Sequence, residues 1–127
     1  HGGFTEGAPW LPVPAEHRAR NVAAQEAASD SVLAHVRRFL SWRKAHPALV
    51  LGDIRFLETA EPVLAFTREH DGRTLLVVFN LSAQPRTWSL PQGFAPVPLE
   101  DHGLLTAHVD GGVLHLPAHA VFYATLS

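Results

Sequence analysis

Apolar positions along the chain keep two rhythms, and the change falls near Gly52. Before it, Val32, Leu33, Val36, Phe39 and Leu40 recur at the three- and four-residue spacing that lines one face of an α-helix, with Arg37, Arg38, Arg43 and Lys44 largely on other faces. The spacing predicts one amphipathic helix over about 30–46. Ser29 or Asp30 is expected to cap it, because a short side-chain oxygen accepts a hydrogen bond from a first-turn amide, and Pro47 to end it. After Gly52 apolar and polar residues alternate, which predicts short strands at 54–57, 63–67, 74–80, 86–90, 96–99, 113–116 and 121–126. Asp71-Gly72 and Asp110-Gly111-Gly112 supply the positive φ angles of tight hairpins. Strands this short and this often interrupted make an antiparallel Greek-key β-sandwich, with Val63, Leu64, Leu76, Val78, Leu116 and Phe122 expected in its core.

Residues 1–28 follow neither rhythm. The stretch from Gly2 to Gln25 holds three prolines, three glycines and a tryptophan, and reads as a long irregular loop. The expected architecture is therefore mainly β and lopsided: a loop, one helix, then a sandwich. Such a helix needs something else to lie against, and the chain opens at His1 without an initiator Met, so a larger preceding body is expected.

Composition narrows the function classes. The 127 residues suffice for one ordinary core, and an apolar fraction of 46% with 17% charged residues is globular. Net charge is −2 and the Lys and Arg residues are spread out, which argues against nucleic acid as a partner. No apolar run approaches the roughly 20 residues of a membrane span, so no membrane partner is expected. The absence of cysteine removes disulfides and thiolate chemistry and fits a reducing, cytoplasmic compartment better than export.

Little in the sequence spells out chemistry. His115 and His119 have the i, i+4 spacing of helical zinc ligands, but Pro117 and the flanking strand patterns forbid a helix and no general-base Glu accompanies them, so no metal site is expected. His17, His46, His70, His102 and His108 read as solvated histidines of turns and strand ends. No serine sits in a nucleophile elbow, and the glycines of the first residues lack the strand and helix that would make them a phosphate cradle. Among twelve acidic residues none forms a recognisable catalytic pair; only Glu6 and Glu16 fall in the unusual leading loop.

The segments "GGFTEGAPWLPV", "NVAAQ", "SVLAHVRRFLSWRKAHPAL" and "GDIRF" occur in an order that resembles the C-terminal part of glycoside hydrolase family 13, in its α-glucosidase and oligo-1,6-glucosidase branch. Gly3-Phe4-Thr5, Pro9-Trp10, Asn21-Val22, Gln25, Arg43-Lys44, Pro47-Ala48-Leu49 and Gly52 carry the likeness; beyond Gly52 only the strand pattern agrees. Pro14-Ala15-Glu16-His17 stands where many relatives have Asn-Pro-Asn-Tyr, which is closer to enzymes acting on short maltose-type substrates than to those cleaving 1,6 linkages. The resemblance implies that residues 1–50 are the tail of a catalytic (β/α)₈ barrel, with a rim loop at 1–28 and the last barrel helix at about 30–46. Residues 51–127 would be the following β-sandwich, domain C. Active sites of that barrel are built from loops at the C-terminal ends of its strands.

What this implies is a retaining α-glucosidase hydrolysing terminal α-1,4 bonds of maltose and short malto-oligosaccharides, with transglucosylation as the same chemistry turned to another acceptor. The partners implied are the missing barrel and, through it, the α-glucoside substrate. The chain itself would stabilise the barrel, hold no catalytic residue and no cofactor, and leave any structural metal to the barrel. Phe4, Glu6 and Trp10 are the candidates for bordering the leaving-sugar subsites, although Phe4 and Trp10 also read as apolar pegs fixing a long loop. The alternatives are a free-standing β-sandwich module for carbohydrate binding or interaction, or a piece of a related sucrose isomerase, trehalose synthase or oligo-1,6-glucosidase.

Overall fold

A computed structural model describes residues 5–126. The chain divides into two compact units, His1–Leu40 and Ser41–Ser127.

In the first unit the leading segment is less irregular than expected. Two one-turn helices, α1 (Ala15–Ala19) and α2 (Val22–Glu26), precede α3 (Val32–Lys44), which continues into the second unit. Ser31 caps α3, not Ser29 or Asp30: the amide of Ala34 donates to Ser31 Oγ at 3.2 Å, and Gln25 Oε1 accepts from the next orphan amide, that of Leu33, at 3.1 Å. Sequence patterning cannot separate three neighbouring polar residues of this kind; the position of Gln25 decides. Val32, Val36 and Leu40 lie exposed along α3.

The second unit is built on two sheets. Five strands, β1 (Asp53–Phe56), β2 (Val63–His70), β3 (Arg73–Asn80), β8 (Val121–Leu126) and β5 (Pro96–Pro98), lie side by side in that order. Three more, β4 (Arg86–Ser89), β7 (Val113–Leu116) and β6 (His108–Asp110), make the second sheet, and every strand pair in both sheets is antiparallel. Strand β6 was not expected, because only three residues pair and all are exposed, so no alternation marks it. Pro47 opens a further helix, α4 (Pro47–Leu51), at whose first position its missing amide costs nothing.

The core lies between the sheets. Val63, Ala65, Leu76, Val78, Phe122 and Ala124 from the larger sheet meet Leu114 and Leu116 from the smaller, with Trp88, Leu90 and Phe94 packed at the margin. Leu64 is the one expected core residue that belongs elsewhere. It alternates with Val63 and Ala65, so the two-residue period turns it to the opposite face, where it is half-buried. That face is apolar too: Val77, Phe79, Val121 and Tyr123 share it, and α4, whose Ala48 and Leu49 are buried, packs on β2 and β3. The larger sheet is thus apolar on both sides.

Candidate functional site

The residues singled out for a sugar-binding rim fall in the first unit. Phe4 lies outside the described residues. Glu6 is exposed in a bend, one residue before an amide of Gly7 that donates to Thr5 Oγ1 at 3.1 Å. Trp10 is 92% exposed, so it does not act as a peg within this chain. A large apolar ring with a polar N–H edge, presented this freely, is suited to lie against a sugar or another protein surface.

What supports this loop is a set of side chains whose roles the sequence did not reveal. Asn21 Oδ1 accepts from the Ala24 amide at 2.9 Å and caps α2, while its amide group donates to the carbonyl of Arg18. Gln25 Nε2 donates to the Arg20 carbonyl at 2.9 Å, and the Gln25 carbonyl accepts from Ser31 Oγ at 2.6 Å. Arg37 pairs with Glu26 at 2.8 Å, and Arg38 donates to the Ser29 carbonyl at 2.9 Å. Asn21 and Gln25 therefore clamp α1, α2 and the start of α3 to one another.

In the second unit, Trp42, His46, His102 and Tyr123 form an aromatic cluster. The Trp42 ring lies 4.4 Å from His46, 4.9 Å from Tyr123 and 5.4 Å from His102. His102, expected at the surface, is only 3% exposed. Its Nδ1 accepts from the Leu104 amide at 3.2 Å, which places the ring proton of the neutral form on Nε2. Burial lowers its pKa, with Glu100 and Asp101 pulling partly the other way; burial also pushes the Tyr123 phenol up to about 12, against the opposing charge of Arg43. Nothing in the sequence distinguishes His102 from the solvated histidines, because its burial comes from Trp42 and Tyr123, distant along the chain.

Two grooves open on the same unit. One, of about 550 Å³, is lined by Asp53, Arg55, Thr67, Glu69 and Phe94, among others. Asp53 stands directly opposite Glu69 across the β1–β2 ladder, yet neither carboxylate pairs with a described cation. The other, of about 490 Å³, is lined by Arg86, Thr87, His108 and His115 with three apolar or proline neighbours. His115 meets His108, not His119, because the backbone at Pro117 leaves the strand. Among the described residues no group of three or more His, Asp or Glu could hold a metal ion, and no helix is long and apolar enough to cross a membrane.

Residues 54–122 match the family described as the maltogenic amylase C-terminal domain. A probable α-glucosidase of Rhizobium meliloti (strain 1021) is 44% identical over 99% of this chain and 22% of its own length. An oligo-1,6-glucosidase of Halalkalibacterium halodurans is 33% identical over 87% of this chain and 19% of its own. Among solved structures, the α-glucosyl transfer enzyme XgtA superposes with a TM-score of 0.90 at 49% identity, over 98% of this chain and 23% of that one. The trehalulose synthase MutB from Pseudomonas mesoacidophila MX-45 gives 0.75 at 29% identity, over the same shares. The chain thus spans about a fifth of the length of the relatives it matches.

Proposed function

Because the chain belongs to the maltogenic amylase C-terminal domain family, among the glycoside hydrolase family 13 enzymes, we propose that it is the C-terminal part of a retaining α-glucosidase. The enzyme would hydrolyse terminal α-1,4-glucosidic bonds of maltose and short malto-oligosaccharides. The observation that carries this reading is the likeness to an α-glucosidase along 99% of the chain, leading loop and sandwich alike. A free-standing β-sandwich module would account for the sandwich but not for the loop and helix.

In this reading, residues 1–50 complete the barrel and 51–127 stabilise it as domain C. The catalytic carboxyl pair, about 5–5.5 Å apart as retention requires, stands on the barrel, with one group attacking the anomeric carbon and the other protonating the leaving oxygen. Water, or a second sugar, then releases the glucosyl group. Trp10 and Glu6, and Phe4 before them, border the leaving-sugar side, the indole offering its face and the carboxylate a hydrogen-bond acceptor. This chain needs no cofactor for that role, any structural metal belongs to the barrel, and the enzyme works in the cytoplasm. Two apolar surfaces support a covering body: Val32, Val36 and Leu40 along α3, and Leu51, Ile54 and Phe56 in the second unit.

A second reading, glucosyl transfer instead of hydrolysis, is favoured by the TM-score of 0.90 to an α-glucosyl transfer enzyme. Both are tested together by assaying the 127-residue chain and the polypeptide extended through the barrel on maltose and p-nitrophenyl α-glucoside, following products and anomers by NMR. The expected result is no turnover by the short chain, and release of α-glucose by the long one. Predominant formation of new glucosides would establish transfer; β-glucose, or turnover by the short chain, would overturn the proposal.

A further inference from the structure

Arg68 stands on the face of the larger sheet turned away from the core, and it carries a polar atom that nothing satisfies. Its Nε is the one buried side-chain nitrogen or oxygen among the described residues without a hydrogen-bond partner. The ladders fix what surrounds it. Ile54 lies opposite it in β1 and Leu75 in β3, and the next rung on the same face sets Phe66 between Phe56 and Val77. Arg73, exposed at the start of β3, shares this face through its pairing with His70, whose ring meets Asp71 at the hairpin tip at 3.5 Å. Neither arginine makes an ion pair with a described carboxylate. Side-chain alternation turns Asp53 and Glu69, next in sequence to Ile54 and Arg68, to the opposite face.

The patch around Arg68 is apolar and open. β1 is an edge of the five-stranded sheet and all four of its residues are exposed, Phe56 at 65%; Leu51, which ends α4, is exposed as well. Only the ring of Phe66, edge-on at 5.9 Å, meets that of Phe56. A buried donor without an acceptor and apolar side chains along an unpaired edge both weigh against stability, and one covering surface relieves both. A second copy of the chain is a poor fit. A two-fold contact joins a patch to itself, which here sets guanidinium against guanidinium on strands that offer no carboxylate on this face. The relatives point to a different cover: the family is a C-terminal domain, and the chain spans 22% of an α-glucosidase that it matches along 99% of its own length.

We propose, resting on the reading of this chain as the end of a barrel enzyme, that Leu51, Ile54, Phe56 and Arg68 dock against the barrel, on a surface where apolar side chains surround one carboxylate that accepts the Nε–H of Arg68. The charge-assisted bond gives the contact its register, and the apolar neighbours exclude water from it.

Arg68→Met keeps the apolar stem and removes the donor. In the 127-residue chain it should leave the unfolding temperature unchanged or raise it, because an unsatisfied buried group is gone. In the barrel-containing enzyme it should lower that temperature by several degrees, because a bond is lost and a carboxylate is left buried alone. Arg68→Lys, which keeps the charge, should lose less there. Hydroxyl-radical footprinting of the barrel-containing enzyme reads the contact without any substitution: Phe56 should be protected while His108, exposed on the smaller sheet, still reacts. Equal shifts for Arg68→Met in both polypeptides, or oxidation of Phe56 as fast as in the 127-residue chain, would overturn the docking. So would protection of Phe56 that disappears on dilution to a monomer, which assigns the patch to a second copy. Maltose hydrolysis, measured on the same samples, separates the two readings: an active enzyme with an open Phe56 removes the docking alone, and a protected Phe56 without maltose activity supports the docking and removes the substrate.

Discussion

The indole N–H of Trp42 donates to the backbone carbonyl of Glu100 across 2.8 Å, joining the last turn of α3 to a loop 58 residues further on. The same ring packs on His46, His102 and Tyr123, so one side chain supplies both a polar tie and an apolar lid. Trp42→Phe should keep most of the packing and cost about 1 kcal/mol, the net worth of a hydrogen bond. Trp42→Ala should cost about 3 kcal/mol, at the lower end for aromatic truncation because the ring is half-buried. Urea unfolding of the two variants measures the difference; equal losses would mean that the hydrogen bond and not the packing carries the contact.

Gly52 sits where α4 meets β1, and here glycine is required by space. A Cβ at this position would stand 2.5 Å from the carbonyl oxygen of Ala48 and 2.7 Å from that of Glu69, both backbone atoms. Gly52→Ala should therefore destabilise by about 1–3 kcal/mol through overpacking, in spite of the alanine's better backbone propensity. Gly93→Ala serves as a comparison, since its φ of 87° strains the backbone but leaves open space around the new methyl group. Thermal unfolding of both variants separates contact from conformation.

Asn80 is the buried polar hub at the end of β3. Its amide group donates to the carbonyls of Gln84 at 2.7 Å and Pro117 at 2.9 Å, while its Oδ1 accepts from Ser82 N at 3.0 Å and Ser82 Oγ at 2.8 Å. Asn80→Asp has the same shape but turns an acceptor against those carbonyls. It should cost about 3 kcal/mol or more, from two donor bonds lost and buried acceptors left unmatched. Asn80→Ser should lose less, and the order of the two by chemical denaturation checks the account.

The stability of the second unit should depend on pH at both ends of the range. Burial holds the His102 pKa below its ordinary value of about 6.5. In the window just under 6.5 the unfolded chain therefore binds more protons than the folded one, so stability is full above that pH and is lost as pH falls below it. The Tyr123 phenol, raised by burial to about 12, acts oppositely: the folded chain keeps its proton longer, and stability declines as pH rises above about 10. Melting temperature followed from pH 8 to 5 should fall. His102→Gln should start lower and show a shallower fall, and an unchanged slope would remove His102 as the cause.

In the barrel-containing enzyme, Trp10→Ala should raise KM for maltose several-fold while changing kcat little, as expected of an indole that holds the leaving sugar in ground and transition states alike. A glucoside with a small, non-sugar leaving group should be insensitive to the change. A kcat loss on both substrates would assign Trp10 to folding of the rim.

Most of the strands and the long helix can be read in order from the chain alone, because period and turn chemistry are local. The short apolar runs that mark β3 and β8 need no partner to be read as strands, and Asp110-Gly111-Gly112 announces its hairpin through φ angles that glycine takes freely. The family resemblance, too, rested on short segments. Tertiary structure decided what distance along the chain conceals. Leu64 is half-buried away from the core because α4 packs over the second face of β2 and β3; Ser31 became the α3 cap because Gln25 folds back beside it. His102 was buried by Trp42 and Tyr123, and His108 found His115 through a ladder between three exposed residues of β6 and their partners. Burial and pairing arise between residues far apart in the chain, so a local pattern cannot report them.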